Sequence, residues 1–287
     1  MNYFYQTSLL CITLASFSLV SAKGELKVID DQKILRQIPA SVGALVDKKK
    51  TLAWDKMAEQ MKRSSVSLKL PKAGTTPVKN LYSNRVDSVV AIASVYKCNR
   101  CTKWHSGGAA SAWVLTADGV MVTNYHVFGD KERAGFAIMT RDGRFSPVVE
   151  ILAASKRDDI AIFRVAGSGY RPIPLGADAA VGSDLHVIAH PDSRFFTYTS
   201  GKVSRYYHKR GHGQPGPPLM AVTAEFARGS SGGPVMDSAG NVIGMVASTS
   251  SIYYPPKKKT DKQGPFQMVI RNCVPVASIR SLIRQAN

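Results

Sequence analysis

An all-β barrel or sandwich is the fold class that the sequence predicts, and three observations predict it. From residue 89 onward, more than ten short runs rich in β-branched and aromatic residues follow one another. Turn signals such as Asp118-Gly119, Asp142-Gly143 and Ala239-Gly240-Asn241 separate them, as hairpins require. The chain has 287 residues, 44% of them hydrophobic and 20% charged, which is enough for one or two domains with a real core and excludes wholesale disorder.

Residues 1–22 carry no charged side chain, and Ser8 to Val20 form a short apolar core. Val20-Ser21-Ala22 follows as a small-residue cleavage pattern before Lys23, so the segment reads as a secretory signal peptide, and the protein is expected to be exported, periplasmic or secreted. No later apolar run reaches the roughly 18 residues that span a bilayer, so no integral membrane segment is expected after cleavage. Residues 23–81 form a basic extension with apolar residues at helical intervals around Ile34-Leu35 and from Ala53 to Met61. Lys48-Lys49-Lys50 interrupts it, and Pro71 to Pro77 reads as a linker, so the extension is expected to be partly helical.

The predicted strands are Val89 to Val95, Ser111 to Leu115, Gly119 to Thr123, Gly135 to Met139, Val148 to Leu152 and Ile160 to Val165. Leu185 to Ala189, Gly201 to Arg205, Met220 to Ala224, Val242 to Ala247 and Gln267 to Cys273 complete them. From Val276 to Ala286, Ile279, Leu282 and Ile283 share one face, which predicts a C-terminal helix over about 276–286.

Three segments carry chemistry. Ser231 lies in Gly229-Ser230-Ser231-Gly232-Gly233-Pro234, where glycines allow a tight loop that aims two backbone N–H groups at one point. His126 ends a strand in Thr123-Asn124-Tyr125-His126-Val127, and Asp159 opens the strand Asp159-Ile160-Ala161-Ile162. A serine nucleophile needs a base for its proton, and the base needs a carboxylate to fix its tautomer. The order His, Asp, Ser is that of the chymotrypsin arrangement.

These segments resemble the histidine, aspartate and serine motifs of trypsin-like serine peptidases, and are most similar to the short-looped bacterial HtrA/Deg type. The resemblance runs from about Asn84 to Ile283 through Leu175-Gly176, Val187-Ile188-Ala189-His190-Pro191, Thr199-Ser200-Gly201-Lys202-Val203-Ser204 and Val274-Pro275. It implies a peptidase domain over 82–287 made of two six-stranded antiparallel β-barrels. Barrel one would cover about 86–168 and barrel two about 169–273. It further implies His126 as general base, Asp159 as its orienting partner, Ser231 as nucleophile, and the Gly229 and Ser231 N–H groups as an oxyanion hole. Asp158 is the rival carboxylate, but the family pattern places the catalytic aspartate directly before Ile-Ala. Cofactors are not implied, and protein or peptide substrates are.

The departures from the family are specific. Ser230 stands where zymogen-activated trypsins carry an aspartate that pairs with a new N-terminus. A PDZ-like domain is not expected, because the sequence ends within one helix of the peptidase. Glu225, Phe226 and Ala227 are candidates for the primary-specificity pocket; a pocket-facing Glu225 would admit basic P1 side chains, while Phe226 and Ala227 fit an apolar pocket.

Cys98, Cys101 and His105 invite a zinc reading, but without a second ligand pair a local Cys98–Cys101 disulfide is expected, with Cys273 an unpaired buried thiol and no metal bound. The other histidines (His186, His190, His208, His212) lack a motif partner. Lys and Arg exceed Asp and Glu by 38 to 20, a formal charge of +18. That balance makes anionic cell-envelope polymers candidate partners. Lys257-Lys258-Lys259 lies in an insertion expected to border the substrate cleft, and no nucleic-acid fold signature accompanies the charge. The alternative reading is a catalytically degenerate peptidase fold that binds polyanions or proteins.

Overall fold

The computed structural model describes residues 28–208, 214–256 and 262–286. The expected signal peptide, His212 and the lysine run at 257–259 lie outside the described residues. The extension begins with α1 (Asp31–Asp47), capped by the Asp30 carboxylate, which accepts the Lys33 N–H at 2.9 Å. The helix ends where the sequence breaks it: the Lys48 N–H bonds the Ala44 carbonyl, and Lys49 turns left-handed at φ 54°. Next come α2 (Trp54–Gln60), the short strand β1 (Val66–Leu68) and α3 (Leu81–Arg85).

Barrel one is closed in the order β2 (Val89–Lys97), β3 (Trp104–Val114), β4 (Val120–Thr123), β7 (Ile160–Val165), β6 (Phe145–Ser155), β5 (Gly135–Met139). The period-2 rule explains its two cores. Val90 and Ile92 of β2 pack with Met121, Phe128, Phe136, Ile138 and Phe163, whereas Val89, Ala91 and Ala93 pack with Ile38 and Val42 of α1. The strand is therefore buried on both faces, and α1 is the cover. Gly43 lets the helix approach closely, since a Cβ there would collide with the Trp104 ring. Trp104 Nε1–H donates to Asp47 at 3.1 Å. Leu52, Met57 and Met61 of the second extension segment join the barrel core in the same way.

Barrel two is closed as β10 (Pro218–Val222), β13 (Phe266–Pro275), β12 (Val242–Tyr253), β11 (Pro234–Met236), β8 (Asp184–Ala189), β9 (Thr197–His208). Its interior is filled by Leu185, Val187, Val203, Met220, Val235, Val246 and Cys273. The expected two six-stranded antiparallel barrels are thus observed.

The C-terminus corrects the sequence reading. Instead of a helix over 276–286 there is one short helix, α4 (Val276–Arg280), followed by β14 (Ile283–Gln285). β14 pairs in parallel with β1, the Val66 N–H bonding the Leu282 carbonyl and the Ala286 N–H the Leu68 carbonyl. A strand partner supplied by the extension, more than 200 residues away in sequence, outweighs the helical periodicity. Ile279 and Leu282 are nevertheless buried, as the shared face requires.

Candidate active site

His126 lies on a single 3₁₀ turn (Tyr125–Phe128) directly after β4, and Asp159 directly before β7. Because β4 and β7 are paired neighbours, with Thr123 opposite Ala161, the two residues are brought to the same end of barrel one. His126 Nδ1 is 2.8 Å from Asp159 Oδ2 and 3.0 Å from Oδ1, and Oδ1 also accepts the His126 backbone N–H at 3.0 Å. Buried Asn124 donates its side-chain amide to the Asp159 carbonyl at 3.0 Å. This bracing holds Asp159 in a left-handed conformation, φ 59°, uncommon for a residue with a side chain. The Nδ1–H directed at the carboxylate leaves Nε2 as the free lone pair. Asp158 turns elsewhere, accepting the Ser155 hydroxyl at 2.6 Å.

Ser231 comes from barrel two, in the loop before β11. Ser111 of β3 ties that loop to barrel one: its N–H donates to the Ser231 carbonyl at 2.8 Å and its hydroxyl to the Gly229 carbonyl at 2.9 Å. Gly232 has φ +86°, and any Cβ there would strike the Ser111 carbonyl and the Thr123 hydroxyl, so the loop requires glycine at that point. Ser231 and His126 line one cleft of about 520 Å³ together with Gly107, Ala109, Asp192 and Gly229. Ser231 Oγ donates to the Ala247 carbonyl at 3.4 Å, and no hydrogen bond joins it to His126 among the described residues. Looser geometry of this kind is usual before substrate binds.

The loop also shows where its stability comes from. Buried Ser230 keeps the turn closed from within, its N–H bonding the Ala227 carbonyl at 3.0 Å and its Oγ facing the Ala227 N–H at 3.4 Å. The Asp192 N–H donates to the Arg228 carbonyl at 2.6 Å. Carbonyl and N–H point oppositely across a trans peptide, so this contact turns the Gly229 N–H away from Asp192. Neither the Gly229 nor the Ser231 N–H is used in a hydrogen bond among the described residues. Two unspent donors beside a serine are what an oxyanion needs.

The 190–196 loop is itself held at two points that sequence reasoning missed. The Phe195 N–H donates to Asp31 of α1 at 2.9 Å, and the Phe196 N–H to His190 Nδ1 at 2.9 Å. Burial pulls the His190 imidazole down to about 4, so it is neutral, as an acceptor at Nδ1 must be. No local period marks the Asp31–Phe195 pair, which spans 164 residues.

Beside Ser231, a cavity of about 180 Å³ is lined by Phe226, Ala227, Arg228, Val246, Ala247, Ser248 and Thr249. Glu225, one of the three candidates for this pocket, is not in the lining. Its carboxylate is exposed and ion-paired with Arg271, which neutralises it on the neighbouring surface.

Of the cysteines, Cys273 is fully buried, and burial keeps its thiol protonated. Cys98 and Cys101, expected from the sequence to form a local disulfide, lie with their sulfurs 3.3 Å apart. Hydrogen bonds from the Arg100 N–H, then Cys101, draw the Cys98 thiol down to about 7.

The family model described as a trypsin-like peptidase domain matches residues 110–245, the span that contains His126, Asp159 and Ser231. Residues 110–245 are a trypsin-like peptidase domain. The relatives that this domain resembles include Protease Do-like 1, chloroplastic, of Arabidopsis thaliana, 30% identical over 52% of this chain and 34% of the relative. Serine protease MT3772 of Mycobacterium tuberculosis is 28% identical over 74% of this chain and 52% of the relative. A probable periplasmic serine endoprotease DegP-like of Ectopseudomonas mendocina is 28% identical over 47% and 28%. The chain therefore spans about half or less of the length of these relatives. An HtrA-type protease solved with a decapeptide shares the fold of the trypsin-like peptidase domain, with TM-score 0.54 at 18% identity over 69% of this chain and 63% of that one. No described helix is long and apolar enough to cross a membrane.

Proposed function

We propose that this chain is an exported serine endopeptidase that cleaves peptide bonds through Ser231, His126 and Asp159 by way of an acyl-enzyme. The observation that carries the reading is the braced His126–Asp159 pair facing a serine loop with two unspent N–H donors. Ser231 Oγ attacks the scissile carbonyl as its proton passes to His126 Nε2. The carbonyl oxygen becomes an oxyanion received by the Gly229 and Ser231 N–H groups. The C–N bond then breaks, and the amine leaves with the proton from Nε2. Water, deprotonated by the same imidazole, attacks the ester and frees Ser231. Asp159 holds the Nδ1–H throughout and stabilises the imidazolium.

The 180 Å³ cavity beside Ser231 sets Phe226, Ala227, Val246 and Ala247 beside polar Arg228, Ser248 and Thr249 and holds no carboxylate, so it favours small or medium uncharged P1 side chains over basic ones. Export rests on the signal-like residues 1–22 and on the periplasmic description of DegP-like relatives. Ser230 closes its loop without a terminal amine, which supports activity independent of N-terminal processing.

The test is turnover of casein and of a P1-randomised peptide library by the purified chain lacking residues 1–22. Cleavage after small or medium uncharged residues, and not after basic ones, is expected. Absence of any turnover, with tight binding to acidic polymers, would establish the binding-module alternative instead.

A further inference from the structure

The tip of the β2–β3 hairpin holds three metal-ligating side chains that the peptidase reading does not use. β2 ends at Lys97 and β3 starts at Trp104, paired across the hairpin, with Tyr96 opposite His105. Cys98 and Cys101 lie in the connecting turn. Alternation along β3 sends Trp104 to α1, where it meets Asp47, and His105 to the other face. There the imidazole packs on Tyr96, with ring centroids 5.4 Å apart. That stacking points His105 Nε2 back at the turn, 3.0 Å from Cys101 Sγ, which is 3.3 Å from Cys98 Sγ. All three donor atoms lie within 4.8 Å of one another.

From this convergence we infer that Cys98, Cys101 and His105 bind a thiophilic divalent cation of the zinc type, with one coordination position left open. Two thiolates and an imidazole are the donor set that selects such an ion over calcium or magnesium. Zn–S bonds of about 2.3 Å in a tetrahedron put two sulfurs about 3.7 Å apart, so the observed pair need open only by a few tenths of an ångström. A disulfide requires the sulfurs to close to about 2.05 Å and gives His105 no part. Binding releases the thiol protons to solvent and involves no change of oxidation state. The fourth position takes water, as in three-ligand zinc sites generally.

Occupancy would tie the end of β2 to the start of β3. A few residues further on, β3 becomes the cleft wall at Gly107 to Ala110. The site therefore clamps a hairpin that is sealed to α1 on one side and faces substrate on the other. The inference stands on the hairpin alone and does not depend on the proposed proteolysis.

The experiment uses the full chain without residues 1–22, reduced, stripped of metal and titrated anaerobically with Co²⁺. One equivalent is expected to produce thiolate-to-cobalt charge-transfer absorption, and Zn²⁺ is expected to abolish it by displacement. Cys98→Ser should remove most of that absorption. His105→Ala should alter the ligand-field bands and weaken affinity by more than the ~100-fold upper range for loss of an outer-shell partner. Circular dichroism checks that each variant is folded. Cobalt bound without charge transfer, or identical spectra for the His105 variant and the parent, would overturn the site. So would exported protein isolated with the two cysteines oxidised, lighter by two hydrogens, and free of metal until reduced.

Discussion

Replacing Asp31 with alanine removes one acceptor from a residue that lies far from the proposed catalytic groups in sequence, yet the structure connects it to the proposed oxyanion donors in three steps. Asp31 holds the Phe195 N–H, the 190–196 loop carries Asp192, and the Asp192 N–H holds the Arg228 carbonyl, which sets the direction of the Gly229 N–H. The loop needs such a brace because Asp192, Ser193 and Phe196 all have positive φ, at 47°, 61° and 58°. Each such residue costs of the order of 1 kcal/mol or more and persists only where neighbours over-determine it. A hydrogen bond to a carboxylate contributes about 1.5–3 kcal/mol, and here its loss leaves a partly buried N–H unmatched. If most of that is felt as misalignment of the hole, kcat/KM for a library-derived peptide falls roughly 10- to 100-fold, mainly through kcat. Asp31→Asn keeps an acceptor oxygen and should retain most activity. The assay is steady-state hydrolysis of one optimised peptide by the three proteins, with thermal unfolding to check that α1 stays docked. Equal kcat for Asp31→Ala and the parent would refute the reasoning, as would equal losses for alanine and asparagine.

Asp159→Asn is expected to lower kcat on the order of 10⁴-fold with the fold intact, by holding His126 in the wrong tautomer. Asp158→Asn, whose carboxylate is engaged by Ser155, should change it little, and the same hydrolysis assay separates the two. For His190 the folded imidazole titrates at about 4, below its ordinary 6.5. Its neutral form therefore stabilises the fold fully above pH 6.5. Stability of order 3 kcal/mol is lost as the pH falls from there towards 4. Denaturant unfolding from pH 7 to 4 measures this, and His190→Gln should flatten that part of the profile. Glu225→Gln is expected to leave the P1 profile of a peptide library unchanged, because the carboxylate faces Arg271 and not the cavity; a shift away from basic P1 residues would place it in the pocket after all.

Much of the barrel architecture was legible in the sequence because strands buried on one face or both have a local signature. Gly135 to Met139 and Ile160 to Val165 coincide with β5 and β7, and the other nine runs fall on or across observed strands. The strands missed, β1, β11 and β14, have three residues each, too few for a period, and exist through partners remote in sequence. The C-terminal helix failed for the same reason, since pairing with β1 competes with helical propensity only in the folded chain. Of the proposed site, His126, Asp159 and Ser231 stand out in the sequence through their motifs, and the structure adds how Asn124 and Ser111 brace them. Asp31 and the role of the 190–196 loop were invisible, because hydrogen bonds to backbone N–H groups leave no side-chain pattern. Glu225 was ambiguous until the position of Arg271 was known. The Cys98–Cys101 spacing suits either a disulfide or a metal, and only the direction in which His105 points separates them.

The most direct test of the central claim is active-site labelling with a peptidyl phosphonate ester, read by mass spectrometry of the intact chain and of its peptides. The expected result is one adduct per chain, located on Ser231, forming at the rate at which hydrolysis is lost. It should be absent in Ser231→Ala, whose turnover falls roughly 10⁶-fold, and His126→Ala should lose about as much because the residues act as a unit. An adduct on a different residue, or undiminished hydrolysis by Ser231→Ala, would contradict the assignment of the nucleophile and with it the proposed mechanism.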